Sequence, residues 1–271
     1  MTTNSKYFKI STFIGCLALA LVLTGCTHKD DTTTITIDEP VNNQQTVTTT
    51  QPSSTPSKAP STNSQSATTT GSQQVTIPKS VLLEADFAQQ APFGNWDEVH
   101  QETCEEASMI IADRYFDQQS LNETIMESEL QALLKWQTQH DYKIDTTAHE
   151  TVDILQTYFN REAHVSTKVT TDAIKYELAQ GHLVIIPAAG RLLGNPNFTG
   201  AGPIYHMLVV VGYDDDEFIT HDVGTRKGKN YHYKYNTLIN AVHNWNHDRA
   251  EGGMTDAEMA MGEKVIVVVT K

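Results

Sequence analysis

Three residues of this chain have the types and the order that thiol-based acyl transfer requires. Cys104 stands at the head of a helix-like run, His206 on a later apolar segment, and Asp222 sixteen residues beyond it. A thiol attacks a carbonyl only as the thiolate, so it needs an imidazole to take its proton and a third group to hold the ring. A helix N-terminus at Cys104 would help further, because the positive end of the helix dipole favours the thiolate. Singly, each residue has an ordinary reading: a small buried side chain, a core histidine, a turn carboxylate. The pattern of nucleophile, base and orienting carboxylate is what makes them candidates together.

Cysteine usage singles out Cys104 as well. Lys6 and Lys9 precede an apolar stretch, Ile10 to Thr24, that reads as an export leader. At about 15 residues it is shorter than the ~20 that a spanning helix needs. It ends in Leu23-Thr24-Gly25-Cys26, which resembles a bacterial lipobox; the resemblance implies cleavage before Cys26, a lipid on its thiol, and a domain held at the membrane outside the cytoplasm. Cys16 then leaves with the leader and Cys26 carries the anchor, so Cys104 is the one remaining thiol and no internal disulfide can form.

Residues 27–79 are dominated by Thr, Ser, Gln, Asn, Asp and Pro, a composition that cannot bury enough apolar surface to fold and reads as a tether. Residues 80–271 suit one domain with a sizeable core. The formal net charge of -14 and the absence of a Lys/Arg cluster exclude nucleic acid as an expected partner, because phosphate binding needs the opposite sign. No cofactor is implied. His243 and His247 are spaced as on one helix face, with Asp248 beside them, and Asp214 to Glu217 are acidic, but a solvated face and a hairpin turn account for these better than a metal site. Trp96 and Trp245 read as core or cleft-wall aromatics, and Gly224 to Gly228 as a turn.

The elements that must position the three residues follow from periodicity. Ala107, Ile110, Ile111 and Tyr115 recur at helical steps after Cys104, with Thr103 and Glu106 at capping-box spacing. Further helices are predicted at about 127–140, 148–160 and 171–180. The second half changes period: short apolar runs at 182–188, 204–213, 217–222 and 230–235 predict antiparallel strands, followed by a helical piece near 237–246 and a strand at 264–270. Helices first and an antiparallel sheet afterwards predict an α+β fold with a cleft between the layers.

The run Gln90-Ala91-Pro92-Phe93-Gly94-Asn95-Trp96-Asp97, followed by Cys104-Glu105-Glu106-Ala107-Ser108, resembles the bacteriocin-processing double-glycine peptidases and their stand-alone relatives in the papain-like clan. Tyr205 to Tyr213 is similar to that family's histidine strand, and Phe218 to Gly224 to the strand carrying its third residue. The resemblance implies a papain-like fold of helices packed on an antiparallel sheet, and a peptide or protein substrate. It implies Cys104 as nucleophile, His206 as general base and then acid, and Asp222 as the orienting group. It also implies a glutamine in the oxyanion hole, with Gln90 the better match and Gln101 the alternative, beside the backbone N–H of Cys104. Many family members have glycine after the cysteine, where this chain has Glu105 and Glu106, whose charges oppose a neighbouring thiolate. A cysteine peptidase is the leading expectation. The alternatives are a transglutaminase-like or cell-wall amidase-like acyltransferase using the same residues, and a catalytically silent peptide- or glycan-binding domain.

Overall fold

The computed structural model describes the backbone of Thr32–Thr34 and residues 76–271. The leader, the lipobox with Cys26 and most of the expected tether lie outside the described residues. In chain order the elements are β1 (Thr32–Thr34), β2 (Thr76–Pro78), β3 (Val81–Leu82), α1 (Cys104–Phe116), α2 (Glu123–Gln139), α3 (Ala148–Thr157), β4 (Ala163–Ser166) and α4 (Thr171–Ala179). There follow β5 (Leu183–Ala189), β6 (Tyr205–Tyr213), β7 (Glu217–His221), β8 (Tyr231–Lys234), α5 (Tyr235–Ala241), α6 (His247–Ala250), α7 (Asp256–Met259) and β9 (Ile266–Val269).

Local chemistry sets the helix starts. The Asn122 side chain accepts from the N–H of Ile125, so α2 begins a turn earlier than its apolar periodicity indicates. Thr147 and Glu150 form a reciprocal capping box at the head of α3, and Thr170 caps α4. The expected box at α1 does not form. The Thr103 hydroxyl donates instead to the carbonyls of Gln90 (3.3 Å) and His100 (3.4 Å), and Glu106 turns into the interior.

The main sheet has the order β4-β9-β5-β6-β7-β8 with every pairing antiparallel, and β3 pairs with the far end of β6. Its central strands are apolar at successive positions because both faces are covered. Met207, Val209 and Val211 of β6 join Leu183 and Ile185 of β5 in the cluster with α1, α2 and α3, while Leu208, Val210 and Tyr213 join Ile174 and Leu178 of α4 and Leu238 and Ala241 of α5 on the other face. The α+β expectation therefore holds with one addition: helices lie on both faces, not on one.

Residues before Ser80 take part in the described fold. Ile77 is buried in the α4–α5 cluster, the Tyr213 hydroxyl donates to the Pro78 carbonyl at 2.9 Å, and β2 pairs with β1. The stretch expected to be tether alone thus contributes these residues to the fold. Where β5 stops pairing with β6 at Val210, β3 continues along that edge at Gly212 and Tyr213. Gly212 permits this close approach, since a Cβ there would lie 2.3 Å from the Val81 carbonyl oxygen.

Candidate active site

Cys104 is the first residue of α1, and the segment from Val81 to Thr103 is bound to the sheet so as to fix it there. The Gln90 N–H donates to the Val223 carbonyl at 3.0 Å, and the buried His221 ring bonds the Ala85 carbonyl at 2.8 Å. The Gln90 side chain then bonds the carbonyls of His100 (2.9 Å) and Gln101 (3.0 Å) with its amide nitrogen, bracing the turn that leads into α1. His100 is itself clamped between Asp97 (2.7 Å) and Glu127 (2.9 Å). Burial opposes a charge on His100, but these carboxylates outweigh it and hold its pKa above the ordinary value.

His206 is the second residue of β6. Its Nε2 lies 2.9 Å from Asp222 Oδ1 just beyond β7, with both side chains buried. Asp222 also accepts from the N–H of Gly224 (3.1 Å), the Asn195 amide (2.9 Å) and the Tyr233 hydroxyl (2.6 Å). Burial pushes this carboxyl upward, yet His206 and the bonds from Tyr233 and Asn195 prevail and leave it below its ordinary value. Close packing fixes the ring: Phe198 meets it edge-on at 5.4 Å, and a Cβ at Gly224 would come within 2.8 Å of its Cε1.

Cys104 and His206 line one cleft of about 1180 Å³, with Gln90, Phe93, Trp96, Asp145, Phe198 and Trp245 among its walls. Among the described residues no hydrogen bond joins the thiol to the imidazole. The Cys104 Sγ accepts from the N–H of Met207 at 3.3 Å and donates to Glu105 Oε2 at 3.0 Å. Burial first, and then Glu105, push the thiol well above its ordinary pKa. Glu105 is wholly buried, and burial followed by Glu106 and Asp145 pushes it well above the usual carboxylate range. Glu106 is pushed up to about 7 by burial, although it accepts from Gln137 at 2.7 Å.

The structure thus brings Cys104, His206 and Asp222 to one place and puts Gln90 at its edge with its amide donors already engaged by backbone carbonyls. Gln101 is exposed and donates to the Trp96 carbonyl at 3.2 Å. Trp96 and Trp245 are cleft-wall residues, and Gly224 to Gly228 is a tight turn in which a Cβ at Gly228 would lie 1.7 Å from the Asp222 carbonyl oxygen. His243 bonds the Gly262 carbonyl while His247 pairs with Glu150, so the two histidines do not converge. Asp214, Glu217 and His232 do bring ligand atoms within 4.8 Å of one another, but Lys234 sits 3.0 Å from Glu217 and supplies positive charge there already. Sequence reasoning did not reach Asn195 and Tyr233, which hold Asp222 from behind. It also read Glu105 and Glu106 as charges at a helix start, whereas both face inward.

No curated protein matches the chain. A crystal structure of a candidate C39-like peptidase from Bacillus anthracis is similar over 71% of this chain and 98% of its own, with a TM-score of 0.45 and 13% sequence identity. Residues 82–252, which include Cys104, His206, Asp222 and most of the cleft walls, match the Peptidase C39 like family. The chain belongs to that family of cysteine peptidases.

Proposed function

We propose that this protein is a membrane-anchored, extracytoplasmic cysteine peptidase that hydrolyses peptide bonds with Cys104, His206 and Asp222. The observation that carries the reading is the buried His206–Asp222 pair opening on the cleft that Cys104 also lines. Because Asp222 holds Nε2, the Nδ1 of His206 is the nitrogen left to exchange a proton with the sulfur and the leaving group. The thiolate attacks the carbonyl of a peptide laid along the cleft; a tetrahedral oxyanion forms, imidazolium protonates the leaving amine, and water hydrolyses the thioester. The N–H of Cys104 is among the first-turn donors that α1 does not use internally, which suits it to the oxyanion. Gln90 joins it only by releasing one of its two carbonyl bonds. Export and anchoring rest on the leader and on Cys26, in the Leu-Thr-Gly-Cys run.

Peptides released from a protein digest by the purified chain test the chemistry. Cys104→Ala and His206→Ala should lower release by similar large factors and the double variant hardly further, because the groups act as a unit. Unchanged release by Cys104→Ala would remove the proposal. For the anchor, Cys26→Ser expressed in a bacterial host should lose detergent-phase partitioning and retain its leader. A silent binding domain is favoured by the raised thiol, and predicts alkylation of Cys104 that is indifferent to His206→Ala.

A further inference from the structure

We propose that Glu105 is an additional catalytic residue whose carboxyl shares a proton with the Cys104 thiol and thereby decides whether the sulfur is held as thiol or freed as thiolate. This rests on reading Cys104 as the nucleophile. It concerns a residue the hydrolytic scheme above does not use, yet one that touches the reacting atom.

The geometry is specific. Glu105 Oε2 is 3.0 Å from the sulfur, and Oε1 accepts the N–H of Thr146 at 3.2 Å, so the carboxyl is fixed between α1 and the loop before α3. With Glu105 as a carboxylate, the S–H points at it and not at His206. Around it stand Glu106 on α1, itself bonded to Gln137 of α2, Asp145 in the adjoining loop, and Tyr205 of β6, whose hydroxyl donates to the Thr146 carbonyl at 2.9 Å. Glu102 and His247 act on Asp145 from further out. Among the described residues no Lys, Arg or His forms an ion pair with Glu105, Glu106 or Asp145. A buried carboxyl with no cation beside it holds its proton more tightly than an exposed one.

Two states follow, differing by one proton from solvent. In the first, Glu105 is ionised, accepts from the thiol and keeps the sulfur protonated. In the second, Glu105 has taken up a proton and donates O–H to Sγ, while the thiol proton has moved to Nδ1 of His206. The thiolate then has two donors, Glu105 and the N–H of Met207, and an imidazolium partner. Reactivity is therefore high in acid, falls as Glu105 ionises, and returns only when strong alkali removes the thiol proton directly. A plain thiolate–imidazolium pair gives a plateau through neutrality instead.

The test is the rate of Cys104 alkylation by iodoacetamide across pH, read by mass spectrometry on the full chain. The wild-type rate should dip between acid and alkaline pH, and Glu105→Gln, which keeps a donor but cannot ionise, should fill the dip. The variant should exceed wild type about tenfold at the minimum, the ratio that one pKa unit represents. A wild-type rate that only rises with pH overturns the proposal whether or not the variant folds, and so does a Glu105→Gln profile that superimposes on wild type. His206→Ala separates the two readings. If it leaves the acid reactivity intact, the peptidase assignment of His206 fails, while a dip that Glu105→Gln abolishes still registers the thiol–carboxyl coupling.

Discussion

Asp222 illustrates how much of a buried carboxylate's behaviour belongs to its neighbours. Its two oxygens take four donors, which is what allows a carboxylate to remain charged with no solvent exposure. Removing one donor leaves a buried lone pair unpaired, at a cost of about 1–3 kcal/mol. We expect Tyr233→Phe and Asn195→Ala each to destabilise the protein by about that amount and to weaken the hold on the His206 ring. A loss of the acid-limb alkylation of Cys104 that tracks the loss of stability supports this, and unchanged melting and alkylation contradict it. That Cys104, His206 and Asp222 lie together was legible in the sequence because cysteines are scarce and the order of the three is informative. Asn195 was not, since an asparagine between Gly194 and Pro196 looks like any turn, and Tyr233 looks like core.

Between elements, the seam of α1 and α2 holds the least comfortable pair. Among the described residues Glu106 Oε2 and Gln137 Oε1 have no partner although both are buried, while the Gln137 amide donates to the other Glu106 oxygen. A proton on Glu106 supplies the missing donor, consistent with its rise from 4.5 to about 7. A carboxyl with a raised folded pKa stabilises the fold in full below its unfolded pKa and loses that contribution as pH rises through the folded value. Stability should therefore decline from about pH 4.5 to pH 7 through this group. Glu106→Gln should flatten that decline, melting above wild type at pH 8 by several degrees, with 1 kcal/mol equal to about 2–4 °C at this size. Equal melting slopes against pH in the two proteins would count against it. Periodicity located most helices and strands here, because 3.6- and 2-residue repeats survive in single sequences. It missed β4, which has only Ala163 to Ser166 with a histidine among them, and it misjudged α1, where Glu105 and Glu106 occupy positions that polarity assigns to solvent.

At the scale of the whole molecule, composition placed the boundary at Ser80, yet the described fold already uses Thr76 to Pro78. Thr76-Ile77-Pro78 has too little apolar content to stand out after a long Thr/Ser run, yet Ile77 is fully enclosed. Loss of such a side chain costs about 2–5 kcal/mol. Deleting residues 35–73 should leave the melting temperature within about 2 °C of wild type, whereas a deletion running through Lys79 should lower it by at least about 5 °C. Equal melting of the two truncations would return the boundary to Ser80. The α+β architecture was legible from the switch of period alone, but the second helical layer was not. The apolar runs of β5, β6 and β9 carry no mark of which face a given helix will cover.

The pairing of β3 with β6 has one further consequence. The chain enters the sheet at Gly212 and Tyr213, while His206 lies seven residues back along the same strand, roughly 23 Å away at the usual rise. Entry of the chain and mouth of the cleft thus lie toward opposite ends of one strand, and a load on the entering chain, such as the anchor proposed above would impose, would fall first on the β3–β6 pairing and not on the residues around Cys104 and His206.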